Sequence, residues 1–483
     1  MNYFLYLLLF IAAALVISLV IAVIRALLIK AKPNDRQSAQ TYTREDENKY
    51  AQMLSAMVKV PTVSANEGDD LSRFYKLQSV MEELFPLTFK TLEKTVIDGN
   101  LLLRWKGRDS SKDGILLMGH QDVVPAAETT WKKDPFSGEI SDGKVHGRGA
   151  MDCKCTVMAE FAAVEELLEE GVVPERDVYL SSSVNEETSG GGAEKIVNYL
   201  LDKGIRLCVV MDEGGGLVEG LMPGMKCMCA AAGITEKGST NIKFIARSKG
   251  GHSSTPPKNT PITRLSKFVV DVEKRNPFKS AMTMPVKEMF GHIAPYLSFP
   301  LRLVLGNLWL FKPLLVWLVP KVSGQAGAFF VTTRVFTMSG ASKAPNVIPD
   351  EAYVILNIRP ALQQSADECI DILTKKAKKY DLEVEVLHKT SASEVTDPNS
   401  DEFKYLEKCV NDVYPQVCFT PLYCTGGTDC RKYTPVSDNC IRFCPIRMDA
   451  DQLAAMHAAN ENISTDAVAQ GVKFYKYFIK NHD

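Results

Sequence analysis

"DVYLSSSVNEETSGGGAEKIVNYLL", Asp177 to Leu201, changes texture twice. Asp177 to Val184 reads as a strand, Gly190 to Gly192 break the chain, and the apolar residues that follow recur at helical spacing. Strand, glycine turn and helix make half of a βαβ unit. The same alternation runs from Asp46 to Glu236, through "GILLMGH", "CTVMAEFAAVEELLEEG" and "LCVVMDEG". This predicts an α/β protein, a sheet between helical layers, with ligands gathered at the carboxyl ends of its strands. Glu186 and Glu187 fall at such an end. A Glu-Glu pair is by itself a common solvated surface feature, so its meaning rests on other stretches.

At 483 residues the chain exceeds one ordinary core. A formal charge of -2 supplies no basic field, so no nucleic-acid partner is expected. The twelve cysteines are scattered without a Cys-x-x-Cys pair and read as buried thiols, in keeping with a reducing compartment. Phe4 to Ile24 carries no charge and is long enough to cross a bilayer as a helix. It reads as a single-pass membrane anchor, with a cleaved signal peptide as the alternative. Arg25, Lys30, Lys32 and Arg36 all follow it, a bias that leaves the bulk of the protein on the cytoplasmic side.

The organisation expected is an anchor over 1–30, a polar linker over 31–45, a catalytic domain in two parts (46–236 and 391–483), and an α+β insert over 237–390. Within the insert, "TNIKFIARS", "AYVILNIRP" and "LEVEVLHKT" read as strands among helical stretches. Met289 to Leu318, rich in Leu, Phe, Trp and Pro, reads as an apolar elaboration of it.

Candidate metal ligands lie where the first domain builds sites. His120 and Asp122 leave a buried strand in "LLMGHQDVVP", and a carboxylate two residues on suits the orientation of a ligating imidazole. Asp152 in "GRGAMDCK", Asp212 in "VVMDEGGG" and His457 in "AAMHAANENIS" complete the set. Two Zn²⁺ bring four positive charges; Asp152, Glu187, Asp212 and a bridging hydroxide would offset them. Glu186 is left over, and a hydrolase needs a proton shuttle beside its water.

"HQDVVP", "GRGAMDCK", "NEE", "MDEGG", "GGHSSTPP", "NVIP", "NIR", "GGTDCR" and "MH..NE", in this order across nearly the whole soluble part, resemble the di-zinc amidohydrolases that include aminoacylase and glutamate carboxypeptidase. The similarity is closest to the carboxypeptidase S and N-fatty-acyl-amino acid synthase/hydrolase branch, especially in "ITEKGS" and "NLWLFKPL". The resemblance implies a zinc-peptidase α/β/α domain with a ferredoxin-like lid and dimerisation insert. It implies two Zn²⁺ per subunit, with Mn or Co possible in the same ligands: His120, Asp152 and Asp212 on one ion, Asp152, Glu187 and His457 on the other. Glu186 would be the general base, Asp122 would orient His120, and His252 would stabilise the oxyanion, often from the partner of a homodimer. Arg359 would grip a substrate carboxylate, with Asn346, Gly427, Thr428 and Arg431 lining the pocket. The implied reaction is hydrolysis of N-acyl amino acids or peptides with a free carboxylate. The alternatives are a reversible fatty-acyl amino acid synthase/hydrolase and an inactive membrane-tethered binding protein. Two positions depart from the pattern. Pro360 lacks the glycine that usually follows it, and Cys153 stands where a carboxylate is common.

Overall fold

The computed structural model describes residues 2–31, 37–66, 68–127, 129–222, 224–225 and 227–483. Lys32, Arg36 and the part of the expected linker between them lie outside the described residues. Twelve strands build two sheets: β1 (Glu93–Ile97), β2 (Asn100–Trp105), β3 (Gly114–His120), β4 (Val178–Ser183), β5 (Leu207–Val218), β6 (Cys229–Glu236), β7 (Thr240–Arg247), β8 (Thr333–Gly340), β9 (Glu351–Arg359), β10 (Glu383–Lys389), β11 (Cys418–Cys424) and β12 (Cys440–Met448). The larger sheet has the order β1-β2-β4-β3-β5-β12-β6-β11. Its centre, β4-β3-β5-β12, is parallel, and β1 and β2 run antiparallel at one edge.

Every residue of β3 is buried, because helices cover both faces of the sheet and neither can be polar. On one face helix Lys154–Glu169 packs with helices Arg44–Val58 and Thr465–Lys480 in the main core. Its approach to β3 is close. A side chain at Gly119 would meet Val157 Cγ2 at 3.0 Å and Cys153 Sγ at 3.1 Å. On the opposite face helix Gly192–Asp202 seats Ala193, Ile196 and Leu200 on Leu102, Leu116 and Tyr179. All twelve cysteines are free, ten of them buried.

After β6 the chain builds a second, antiparallel sheet of order β8-β9-β7-β10. β9 alternates strictly between buried and half-buried residues, as a strand with one covered face must. Helices Pro261–Lys274 and Ala366–Lys378 cover that face through Phe268 and Leu373. The chain order is thus β-α-β-β-α-β. The long connection before β8 is a finding of its own. Met289 to Leu318 was expected to elaborate this insert, yet helix Met284–Ile293 buries Val286, Met289, Phe290 and Ile293 against Cys229, Ala231, Cys418 and Tyr423 of the larger sheet. An apolar run signals burial without naming the surface that buries it.

At the N-terminus, Tyr3–Leu28 is a helix long and apolar enough to cross a membrane. It continues four residues past Ile24, the expected end of the span.

The turn that enters helix Lys154–Glu169 is pinned from behind by Glu461. One oxygen of this fully buried carboxylate accepts the N–H groups of Gly149 (3.0 Å), Met151 (2.9 Å) and Asp152 (3.1 Å). The other pairs with Arg148 Nη1 at 2.8 Å. Removing one member of such a pair leaves an uncompensated buried charge. Glu461→Ala is therefore expected to destabilise the chain by about 3–5 kcal/mol in urea titration. A loss below about 1 kcal/mol would refute this role.

Candidate active site

Asp152 meets two imidazoles from distant parts of the chain. Its Oδ1 lies 3.0 Å from His120 Nε2 at the end of β3, and its Oδ2 lies 2.9 Å from His457 Nε2. His457 Nε2 also lies 3.0 Å from Glu187 Oε2. Burial disfavours the Asp152 carboxylate, but the two imidazoles hold it below the usual carboxylate range. Hydrogen bonds to Asp152 and Glu187 raise His457 to about 10. Burial pushes His120 down, yet Cys153, Asp122 and Asp152 together carry it well above its ordinary value.

Asp122 does more than face His120. His120 Nδ1 sits 2.9 Å from the Asp122 carbonyl and 3.4 Å from its Oδ1. The same carboxylate accepts the backbone N–H groups of Glu186 and Glu187, each at 3.1 Å, and the Ser64 hydroxyl at 2.7 Å. One residue thereby sets both, the imidazole mainly through its backbone carbonyl and the Glu-Glu segment through its carboxylate. Burial raises the Glu186 carboxyl well above its ordinary value, with Asp429, Asp152 and Glu187 adding repulsion against His120.

Asp212 is buried within β5. Its oxygens accept the N–H groups of Glu213 (2.9 Å) and Cys430 (2.8 Å), and it joins neither group of clustered ligand atoms around Asp152. Burial and Asp429 push its carboxyl up to about 7. Its neighbour Glu213 faces the other way, as successive strand residues do, and lines a small cavity together with Asp152 and Cys153. Burial first, then Asp152, Asp212 and Glu186, raise Glu213 well above its ordinary value. "MDEGG" holds both acids, and they differ only in the face of β5 that each takes. Asp429 was also missed. It is buried, accepts Ser183 Oγ at 2.5 Å and pairs with Lys432 Nζ at 3.1 Å.

A cleft of about 410 Å³ opens beside Glu186, lined among others by Arg359 at the end of β9 and by Gly427, Thr428 and Arg431 after β11. Arg431 Nη1 is paired with Glu236 at 3.1 Å. Among the described residues, Arg359 has no ion pair. His252 and Asn346 lie elsewhere. Both are exposed, on a ribbon where Gly251–His252 pairs with Val347–Ile348, and neither lines this cleft.

The donor set fits divalent cations. Imidazole nitrogens and carboxylate oxygens of Asp152, Glu187 and His457 lie within 4.8 Å of one another, a ligand type suited to zinc and its neighbours. Glu187 Oε1 is buried without a hydrogen-bond partner among the described residues, an acceptor that an ion would satisfy. Cys153 is near His120 and Asp152, but burial holds its thiol well above the ordinary value, and its sulfur already accepts the His120 N–H at 3.0 Å.

Residues 116–481 match the model of peptidase family M20/M25/M40. The chain belongs to this family. It is 32% identical to an N-fatty-acyl-amino acid synthase/hydrolase of Xenopus tropicalis over 94% of this chain and 90% of that protein. It is 28% identical to carboxypeptidase S of Saccharomyces cerevisiae, over 92% and 87%. Among solved structures, an M20 metallo-carboxypeptidase of Sulfolobus solfataricus superposes with a TM-score of 0.66 at 20% identity, covering 89% of this chain and 98% of that one. Human carnosine dipeptidase 1 gives 0.65 at 16%, covering 90% and 96%. The chain is an amide-bond hydrolase of the metallopeptidase class.

A His457 raised to about 10 by its two carboxylates is protonated at neutral pH in the metal-free chain, and an ion must displace that proton. Metal affinity is therefore expected to rise with pH up to about 10. Calorimetry in buffers of different ionisation enthalpy checks this, and uptake without proton release refutes it.

Proposed function

We propose that the chain hydrolyses the amide bond between an acyl or peptidyl group and an amino acid whose free carboxylate is bound by Arg359. The observation that carries this reading is a guanidinium, without an ion pair among the described residues, sharing one cleft with Glu186. A guanidinium fork suits a carboxylate, and holding it fixes which amide faces Glu186. Glu186, its carboxyl raised by burial, takes a proton from water and returns it to the departing amine. Asp122 keeps Glu186 and His120 in register through the bonds described above. Gly427, Thr428 and Arg431 shape the wall opposite, and Asn346 approaches the substrate with the insert. His252 stabilises the developing oxyanion from the second subunit of a homodimer, a role that accords with its exposure in a single chain.

His120, Asp152 and Glu213 would hold one Zn²⁺ and Asp152, Glu187 and His457 the second, with Glu213 in the place first assigned to Asp212. Bound there, such ions supply Lewis acidity and a more acidic water. Residues 46–236 and 391–483 serve as the catalytic domain and 237–390 as its lid. The helix Tyr3–Leu28 serves as a single-pass anchor with the catalytic domain on the cytoplasmic side.

A lipid-like acyl group is the favoured version. A cavity of about 130 Å³ adjoins Asp152 and Glu213 and is walled by Leu221, Leu422, Met448, Leu453 and Met456. Its walls favour an aliphatic chain over a polar peptide. The same groups serve amide synthesis in reverse.

Three measurements test the reading. On a panel of N-acyl amino acids, their carboxamides and matched dipeptides, only substrates with a free carboxylate should turn over, and long acyl chains best. Cleavage of dipeptides alone rejects the acyl version. Glu186→Gln should lose about 10²–10⁴-fold in kcat with metal content intact, and Arg359→Ala about 10- to 100-fold in kcat/KM. Glu213→Gln should lower the bound metal per chain while Asp212→Asn retains it; the opposite pattern restores Asp212 as the ligand.

A further inference from the structure

Outside the site, one helix lacks the environment its composition demands. Leu308–Val322, "LWLFKPLLVWLVPKV", carries two lysines and no acid, and none of its residues is buried. Trp309, Leu314, Trp317, Leu318 and Val322 are exposed, while Leu308, Leu315, Val316 and Val319 lean on the core beneath. A helix apolar all round belongs in a protein core or in lipid, and a contiguous exposed patch of this kind marks an interaction surface.

The structure holds this helix against the N-terminal one. Ala22 and Ala26 are fully buried where helix Asn2–Leu28 meets helix Phe299–Leu305. Asn307, itself fully buried, donates from Nδ2 to the Ala22 carbonyl at 2.9 Å. The approach is tight, since a side chain at Gly306 would meet Ile29 Cδ1 at 2.4 Å. Ala22 stands six residues before the helix end at Leu28, about 9 Å along its axis. If the helix spans the bilayer, this contact lies close to its exit.

From that contact the chain turns by 96° into Leu308–Val322. At 15 residues this helix is about 22 Å long, too short to cross roughly 30 Å of hydrocarbon. Its two tryptophans and its lysines, Lys321 lying 3.9 Å above the Trp317 ring, are the residue types of the membrane–water boundary.

We propose that Leu308–Val322 is a second membrane-seated element, lying in the bilayer interface beside the N-terminal span. This rests on the reading of that span as a retained anchor. The occupant is lipid, because the patch is continuous with a helix of membrane-spanning length and no acidic residue on it opposes a bilayer.

The full chain is reconstituted into phosphatidylcholine vesicles with and without brominated acyl chains, and tryptophan emission is read. The N-terminal helix contains no tryptophan, and Trp309 and Trp317 are two of four in the chain. Brominated lipid should quench emission by up to about half, the share of two tryptophans in four, and Trp309→Phe with Trp317→Phe should abolish the quenching while the chain still floats with the vesicles. Flotation with unquenched wild-type emission overturns the proposal and leaves the anchor standing. Failure to float overturns both. Unquenched emission with a dimer mass that Trp317→Glu halves assigns the face to a second copy instead.

Discussion

The site depends on a single carboxylate having to face two imidazoles at once. Asp152 reaches His120 with one oxygen and His457, 305 residues later, with the other. A buried carboxylate is costly unless every lone pair is answered, so this contact ties the end of β3, the turn before helix Lys154–Glu169 and the C-terminal segment into one geometry. Glu461 completes it by holding the turn's amides from the other side. The C-terminal segment is thus joined to the turn at 148–152 through these acids as well as to the larger sheet through β12.

Around Asp152 the acids exceed their protein cations. Glu186, Asp212 and Glu213 all sit above their ordinary carboxyl range because burial and mutual repulsion disfavour their charges. A soluble domain tolerates such repulsion where function demands it. The same arrangement that is unfavourable alone becomes favourable once positive charge enters. Asp122 spends its oxygens on backbone amides of Glu186 and Glu187.

Much of this was legible in the residues. His120 and Glu187, delivered by the carboxyl ends of parallel strands, meet Asp152 and His457, which come from the turn before helix Lys154–Glu169 and the segment after helix Ala450–Ala455. The choice between Asp212 and Glu213 was not legible from the motif, since adjacent acids in a strand differ only in which face they take. His252 and Asn346 share a ribbon that a single chain leaves in solvent. The run Met289–Leu318 announced its apolarity, but β11 of the larger sheet, not the insert, receives its first helix.

By itself, then, the sequence determined the α/β class, the insert's alternating strands, a helix of membrane-spanning length and the set of acids and imidazoles from which a metal site is built. These follow from local periodicity and residue chemistry. Only the tertiary structure decided that Glu213 lines one cavity with Asp152, that Arg359 of the insert shares a cleft with Glu186, and that Asn307 reaches back to Ala22. Each is a contact between segments far apart in the chain, and its geometry is fixed by packing rather than by any residue's own preference.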